Sequence, residues 1–203
     1  ENLSYQFPPP FSFTSPTNIY SLIEISPTKA QDTVLGLSKL MRYLLYETNH
    51  KEVDLAHEIL FLTNYIKLME IRQSDKTTTT FSFPEIEEKK YYIAPLLFIP
   101  MIENAYKHGV SATQSSQIYF SIELRDDHLL FVSRNTSFPK NESDISGSGI
   151  GLDNLRKRLE LFYPGSHELT ILNEKEMAYS SETEKDVYLG ERLFWVSLRI
   201  NIN

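Results

Sequence analysis

Glu103, Asn104, Lys107 and His108 crowd the end of an apolar segment, residues 95–109, that finishes on Gly109. At a helical repeat Leu97, Met101 and Ala105, with Ile102 and Tyr106 beside them, face a core and leave the four polar groups together at the last turn. An amide oxygen and a carboxylate suit a hard divalent cation, and an ammonium and an imidazole suit an anion. Such a helix end is able to hold a metal-bound phosphate, although a polar end facing water is the plain alternative. Gly109 is expected to stop the helix.

A second group of candidates is Gly147-Ser148-Gly149-Ile150-Gly151-Leu152, directly before the helical run that carries Asp153, Asn154, Arg156 and Arg158. Glycines let backbone N–H groups approach a phosphate, and the positive end of the following helix favours the anion. Arg156 and Arg158 are placed to add charge. A flexible hinge explains the glycines as well as a phosphate loop does. A dinucleotide fold is disfavoured, because no strand–helix–strand unit frames them. His50, in a turn, and His57, on a helix, read as surface residues. His108 stands open between a phosphate contact and a hydrogen-bonded structural histidine.

The elements that must position these groups are legible from spacing. Residues 28–47 place Ala30, Val34, Leu37, Met41 and Leu44 at three- and four-residue intervals, which predicts an amphipathic helix. From Asp54, a natural N-cap, Leu55, Ile59, Leu62, Ile66 and Met69 repeat the pattern. The two make a helical hairpin whose core is too narrow to stand alone, so dimerisation into a four-helix bundle is expected. Residues 77–83 are β-branched and aromatic. A helix is predicted over 91–109, strands over 118–124 and 129–132, a loop over 136–149, and a helix over 152–162 that Pro164-Gly165 stops. A short strand at 169–172, an acidic polar excursion over 174–186 and a final strand from Phe194 to Ile200 complete the chain. The pattern predicts an α+β sandwich with helices on one sheet face.

Composition narrows the class. A chain of 203 residues with 41% hydrophobic content fills one generous core or two small ones. The formal charge of -7 argues against a general nucleic-acid surface, which needs clustered Lys and Arg. The absence of cysteine excludes disulfides and thiolate metal sites and fits a reducing interior. No apolar run reaches the roughly 18–20 residues that span a bilayer, so the expected state is soluble, with no membrane contact by this stretch. Residues 1–7, ENLSYQF, hold the letters of a common protease-cleavage tag in another order, and residues 1–16 are kept out of the fold argument.

In order along the chain, these elements resemble the LytS-like sensor histidine kinases. Glu103-Asn104-Ala105-Tyr106-Lys107-His108-Gly109 is similar to the N box of that family. Gly147-Ser148-Gly149-Ile150-Gly151-Leu152, with Asn154, Arg156, Arg158 and Leu159, is similar to its second glycine box. Residues 18–22 and Val53, Asp54, Leu55, Glu58, Tyr65, Ile66 and Arg72 sit where the family has its dimerisation helices.

The resemblance implies a dimerisation hairpin over 1–73 and a Bergerat-type ATP-binding sandwich over 74–203, of the GHKL superfamily shared with type II topoisomerases, MutL-like repair proteins and heat-shock chaperones. It implies that Asn104 ligates Mg²⁺ bridging the ATP phosphates and that Glu103 is the base or water-orienting carboxylate. Lys107 and His108 would stand near the phosphates. Gly147, Gly149, Gly151, Leu152 and Arg156 would form the lid and the phosphate-facing helix start. The implied setting is the cytoplasmic part of an inner-membrane sensor, a homodimer that passes a phosphoryl group from ATP to histidine and then to a response regulator.

Two departures qualify this reading. The family carries a phosphoacceptor histidine in a segment that aligns with Gln6-Phe7-Pro8-Pro9-Pro10-Phe11-Ser12-Phe13, which puts Pro10 at the acceptor position. Proline has no nucleophilic side-chain nitrogen, so a degenerate kinase that signals by dimerising and docking is the competing expectation. The wider superfamily also binds adenine through an aspartate. Here the matching run is Val132-Ser133-Arg134-Asn135-Thr136; Arg134 lacks an acceptor, and Asn135 is expected to contact the nucleotide instead.

Overall fold

The computed structural model describes residues 16–86, 91–138, 150–180 and 185–202; the side chains of 16–18, 150, 173–180 and 185–192 are outside that description. Three helices come first. α1 (Pro16–Ile25) runs into α2 (Pro27–Tyr46) across Ser26, whose hydroxyl caps the Lys29 N–H and which is followed by proline at the first helical position. α3 (Leu55–Ile71) returns antiparallel after a turn, its N-terminus capped by Asp54 accepting from the Ala56 N–H at 2.9 Å. The hairpin is therefore present, and Tyr43 of α2 stacks on Phe61 of α3.

Its seam is rotated from the one the sequence predicts. α2 buries Ala30, Thr33, Leu40 and Tyr43 against its neighbours, whereas Val34 and Met41 are about half exposed. Two apolar stripes share this helix, and only one is covered. α3 is enclosed on most sides: Leu55, Glu58, Phe61, Leu62, Tyr65, Ile66, Leu68 and Met69 are all buried.

A two-stranded ribbon joins the hairpin to the rest. β1 (Val53–Asp54) pairs antiparallel with β3 (Tyr92–Ile93). The main sheet contains β2 (Thr77–Ser82), β4 (Ser116–Leu124), β5 (His128–Ser137), β6 (His167–Ser180) and β7 (Lys185–Asn201), in the order β2-β4-β5-β7-β6. β2 and β4 run parallel and the other pairs are antiparallel. α4 (Ile99–His108) and α5 (Ile150–Phe162) pack against each other. The row Leu129, Phe131, Leu198 and Ile200 is fully buried on the sheet face toward the helices, where Phe98 stacks on Phe131 at 4.7 Å. One apolar core runs from Leu40 and Tyr43 through α3, α4 and α5 to this face.

Three sequence expectations change. Thr136 and Ser137 continue β5 rather than opening a loop, because their backbones pair with Leu193 and Arg192. The acidic stretch over 174–186 is largely a strand hairpin, with β6 reaching Ser180 and β7 starting at Lys185; the backbone ladder, not apolar alternation, organises it. The helix predicted from residue 91 begins only at Ile99.

Candidate active site

Proline explains the late start of α4. Pro95 restricts Ala94 to extended backbone and removes an N–H donor, so the chain does not coil there, whereas Pro100 suits the first turn of the helix that follows. Tyr92–Ile93 is used as β3, and Leu96 takes φ 57°, in the left-handed region that costs a β-carbon-bearing residue about 1 kcal/mol or more. Among the described residues it is the single non-glycine with positive φ. Once started, the helix buries Met101, Ile102, Ala105 and Tyr106 as the spacing predicts, and Leu97 is buried just ahead of it.

The polar end of α4 gathers the expected groups. Glu103 and Asn104 are half-buried, Lys107 is exposed and His108 is half-buried. The Tyr65 hydroxyl of α3 donates to Glu103 Oε1 at 3.1 Å. Burial pushes the Glu103 carboxyl above the ordinary carboxylate range, and the Tyr65 bond pulls it part of the way back. Lys107 and His108 lie in the last turn, where cations complement the helix dipole.

Gly109 ends α4 for a reason other than a left-handed cap. Its φ is −96°, open to any residue, but a Cβ there would meet the Ala105 carbonyl oxygen and Asn135 Cβ, each at 2.6 Å. Close approach of β5 to the helix end requires the glycine. Asn135 thereby sits against the end of α4, 1% exposed, donating from Nδ2 to the Thr136 carbonyl at 2.8 Å. Its Oδ1 is buried and has no hydrogen-bond partner among the described residues. Arg134 projects from the other sheet face, its guanidinium 5.4 Å from the Tyr119 ring centre, so the strand alternation that brings Asn135 to α4 carries Arg134 away.

Gly147 and Gly149, like Pro10, lie outside the described residues. Gly151 is the second residue of α5, exposed, and an added Cβ would meet nothing within 4 Å. Leu152 is buried in the core with Leu155 and Leu159. Arg156 is exposed and pairs with Asp153 at 2.7 Å, one turn before it. Arg158 donates to the carbonyls of Pro95, at 2.8 Å, and Leu96, at 3.3 Å.

Sequence reasoning missed three participants. Tyr65 reads as an ordinary core residue of α3, yet it grips Glu103. Arg158 reads as charge for a phosphate, yet it holds the turn before α4. Glu58, named in the sequence only for its place in the dimerisation helices, is 0% exposed and accepts from the Tyr43 hydroxyl and, at 3.1 Å, from the Leu96 N–H. Burial raises its carboxyl to about 7, against the pull of the Tyr43 bond, the Leu96 N–H and Arg158. The available signal was its place in the stripe Leu55, Glu58, Leu62, Tyr65, a charge where the helix must be apolar.

The donor set fits magnesium and nucleotide together rather than a metal alone. Among the described residues no cluster of three or more His, Cys, Asp or Glu is present. Magnesium is commonly held by one or two protein oxygens with water and substrate phosphates completing its shell, and Asn104 offers such an oxygen. The buried Oδ1 of Asn135, which has no partner among the described residues, is an acceptor able to take a donor from a bound group.

The comparisons with known proteins point to the histidine kinases. A family model described as histidine kinase matches residues 1–77. The chain is 27% identical over 164 residues to the sensor histidine kinase YpdA of Escherichia coli K12, covering 76% of this chain and 29% of that protein. It is 33% identical over 129 residues to the sensor protein kinase HptS of Staphylococcus aureus, covering 64% of this chain and 24% of that protein. The chain thus spans less than a third of the length of these curated relatives. Among solved structures, the histidine kinase domain of the Erythrobacter litoralis EL346 blue-light activated histidine kinase aligns with TM-score 0.49 and 13% identity, covering 90% of this chain and 85% of that one.

Proposed function

We propose, from the premise that this chain groups with the sensor histidine kinases, that it is the Mg·ATP-binding kinase core of a two-component sensor of the LytS-like, Bergerat-type kind. The observation that carries the proposal is the pairing on α4 of Asn104 with Glu103, the latter held by Tyr65 and raised by burial. Asn104 supplies the metal oxygen. Glu103 is the candidate base, since a carboxyl raised toward neutral pH takes a proton more readily than an exposed one. Lys107 and His108 stand near the phosphates, and Asn135 contacts the nucleotide through its buried amide. Gly151 and Arg156 are assigned to the phosphate side, together with Gly147 and Gly149 just before them in sequence, and Leu152 anchors the helix that carries Gly151 and Arg156. Mg·ATP, when bound, supplies the phosphoryl group; the protein's share is positioning and charge.

Residues 1–73 are assigned to dimerisation and 74–203 to the nucleotide. The support for a homodimer is the uncovered apolar stripe of the first helices, where Tyr20, Ile25, Leu35, Leu45 and Tyr46 are each more than half exposed. A response regulator is the onward acceptor. The fragment is placed on the cytoplasmic side of a membrane sensor; among the described residues no helix is long and apolar enough to cross a membrane itself.

Pro10 favours a second reading. It falls inside the segment matched by the histidine kinase model and leaves the acceptor position without an imidazole. The chain is then a degenerate kinase that binds nucleotide and signals by docking. Incubation with γ-labelled ATP separates the two: acid-labile label on this chain sinks the degenerate reading, and no label despite Mg·ATP binding sinks self-phosphorylation. For the site itself, Asn104→Ala is expected to abolish Mg·ATP binding in calorimetry while circular dichroism stays unchanged. Retained affinity in the folded variant would remove Asn104 from the site.

A further inference from the structure

The strained turn before α4 is gripped from both sides. On one side the buried carboxylate of Glu58, from α3, accepts the Leu96 N–H at 3.1 Å. On the other, Arg158, from α5, donates to the Pro95 and Leu96 carbonyls. The Tyr43 hydroxyl, from α2, fixes the same Glu58 oxygen. Leu96, with φ 57°, is thus held at its N–H and its C=O by two different helices, and it stands three residues before α4 begins. A non-glycine residue stays in the left-handed region only where its surroundings over-determine it, and such outliers point to function rather than to fold economy. A buried carboxylate is also a costly way to hold a turn that an apolar side chain would pack against.

We infer that Glu58 is a positioning residue for the nucleotide site, acting through the Leu96 turn to fix where α4 starts and so where Asn104 and Glu103 end up. The inference rests on the proposed Mg·ATP site and extends it to the hairpin. A one-residue change in the start of a helix rotates its far end by about 100°, which would carry Asn104 off the pocket. The chain of contacts Tyr43, Glu58, Leu96 makes the packing of α2 on α3 a determinant of that start. Tyr65, two turns further along α3, gives the same helix a second hold, on Glu103.

The test compares Glu58→Leu, which removes the acceptor at similar volume, with Glu58→Gln, whose amide oxygen still accepts. Leu62→Ala serves as a control for lost packing in the same helix. Amide hydrogen exchange over residues 96–104 is read without nucleotide, and Mg·ATP affinity is read by calorimetry. Glu58→Leu is expected to speed exchange at those amides at least tenfold and to weaken Mg·ATP at least tenfold, with Glu58→Gln within threefold of the parent in both. The control is expected to lower the melting temperature while leaving affinity within threefold. Unchanged exchange and affinity in folded Glu58→Leu, or equal losses in the control, overturns the inference. A parent protein that binds no Mg·ATP defeats the proposed function, and exchange alone then decides the role of Glu58. If Glu58→Leu does not fold, Glu58→Asp withdraws the acceptor by one methylene: exchange raised over 96–104 supports the inference, and parent-like exchange overturns it.

Discussion

α2 and α3 are neighbouring helices of one hairpin, yet α3 is buried on most sides while α2 covers one stripe and leaves another open. The difference separates their duties. α3 contributes to the same core as the sheet and reaches the candidate site at Glu58 and Tyr65. α2 bonds Glu58 through Tyr43, buries Ala30, Thr33 and Leu40, and presents Val34, Met41 and Leu45 outward. A helix can therefore look equally amphipathic in sequence and be either structural centre or open interface, depending on what the rest of the chain packs against it.

The contrast breaks if the two helices respond alike to truncation. Leu62→Ala, at a site with 0% exposure, is expected to lower stability by about 3 kcal/mol. Val34→Ala, 52% exposed on α2, is expected to cost less than about 0.5 kcal/mol in the monomer. Urea unfolding of both variants checks the pair.

A smaller effect follows from the buried carboxyl of α3. Glu58 is raised from its ordinary value near 4.5 to about 7, so between those values the folded chain holds a proton that the unfolded chain releases. Its contribution to stability is complete below the lower value and is lost as pH rises through the upper one, by an amount on the order of 3 kcal/mol at most. Glu58→Gln should flatten that part of the stability–pH curve. An unchanged slope in the variant would show that the slope arises elsewhere.

Part of this architecture was readable in the sequence. Asp54 as a cap, the turn between the helices, and the alternation of Ile118, Phe120 and Ile122 depend on neighbours within a few residues, so local pattern sufficed. The turn before α4 was not readable in that way, because Leu96 is held by Glu58 and Arg158, 38 and 62 residues away. Glu58 itself stands in an apolar stripe, and only its distant partners explain a charge there. The covered stripe of α2 was misplaced for a related reason: Val34 and Met41 satisfy helical spacing as well as Thr33 and Leu40 do, and tertiary packing chose between them. The grouping of Asn104 and Glu103 at the end of α4 was legible from spacing, but the phenol that holds Glu103 was not. The close approach that demands Gly109 also depends on a strand lying across the helix end.

Tyr65→Phe sharpens the link between α3 and the site. It keeps the buried ring and removes one hydrogen bond, at a cost of about 1 kcal/mol. The carboxyl of Glu103 loses the contact that pulls it down, so it should titrate still higher, which carbon-detected NMR of the glutamate carboxyls would read. A Glu103 titration unmoved by the change would show that the phenol does not tune it. The smallest stability effect belongs to α2. Met41→Ser with Leu45→Ser should shift the melting temperature little and convert a dimer to a monomer in sedimentation. An intact dimer would place the interface elsewhere.

The most direct measurement is calorimetric titration of the unaltered chain with ATP, once with magnesium and once with the metal chelated. The proposed site predicts saturable one-site binding with magnesium and at least tenfold weaker binding without it, because Asn104 acts on the phosphates through the metal. Equal affinity in the two titrations, or no binding in either, would contradict it.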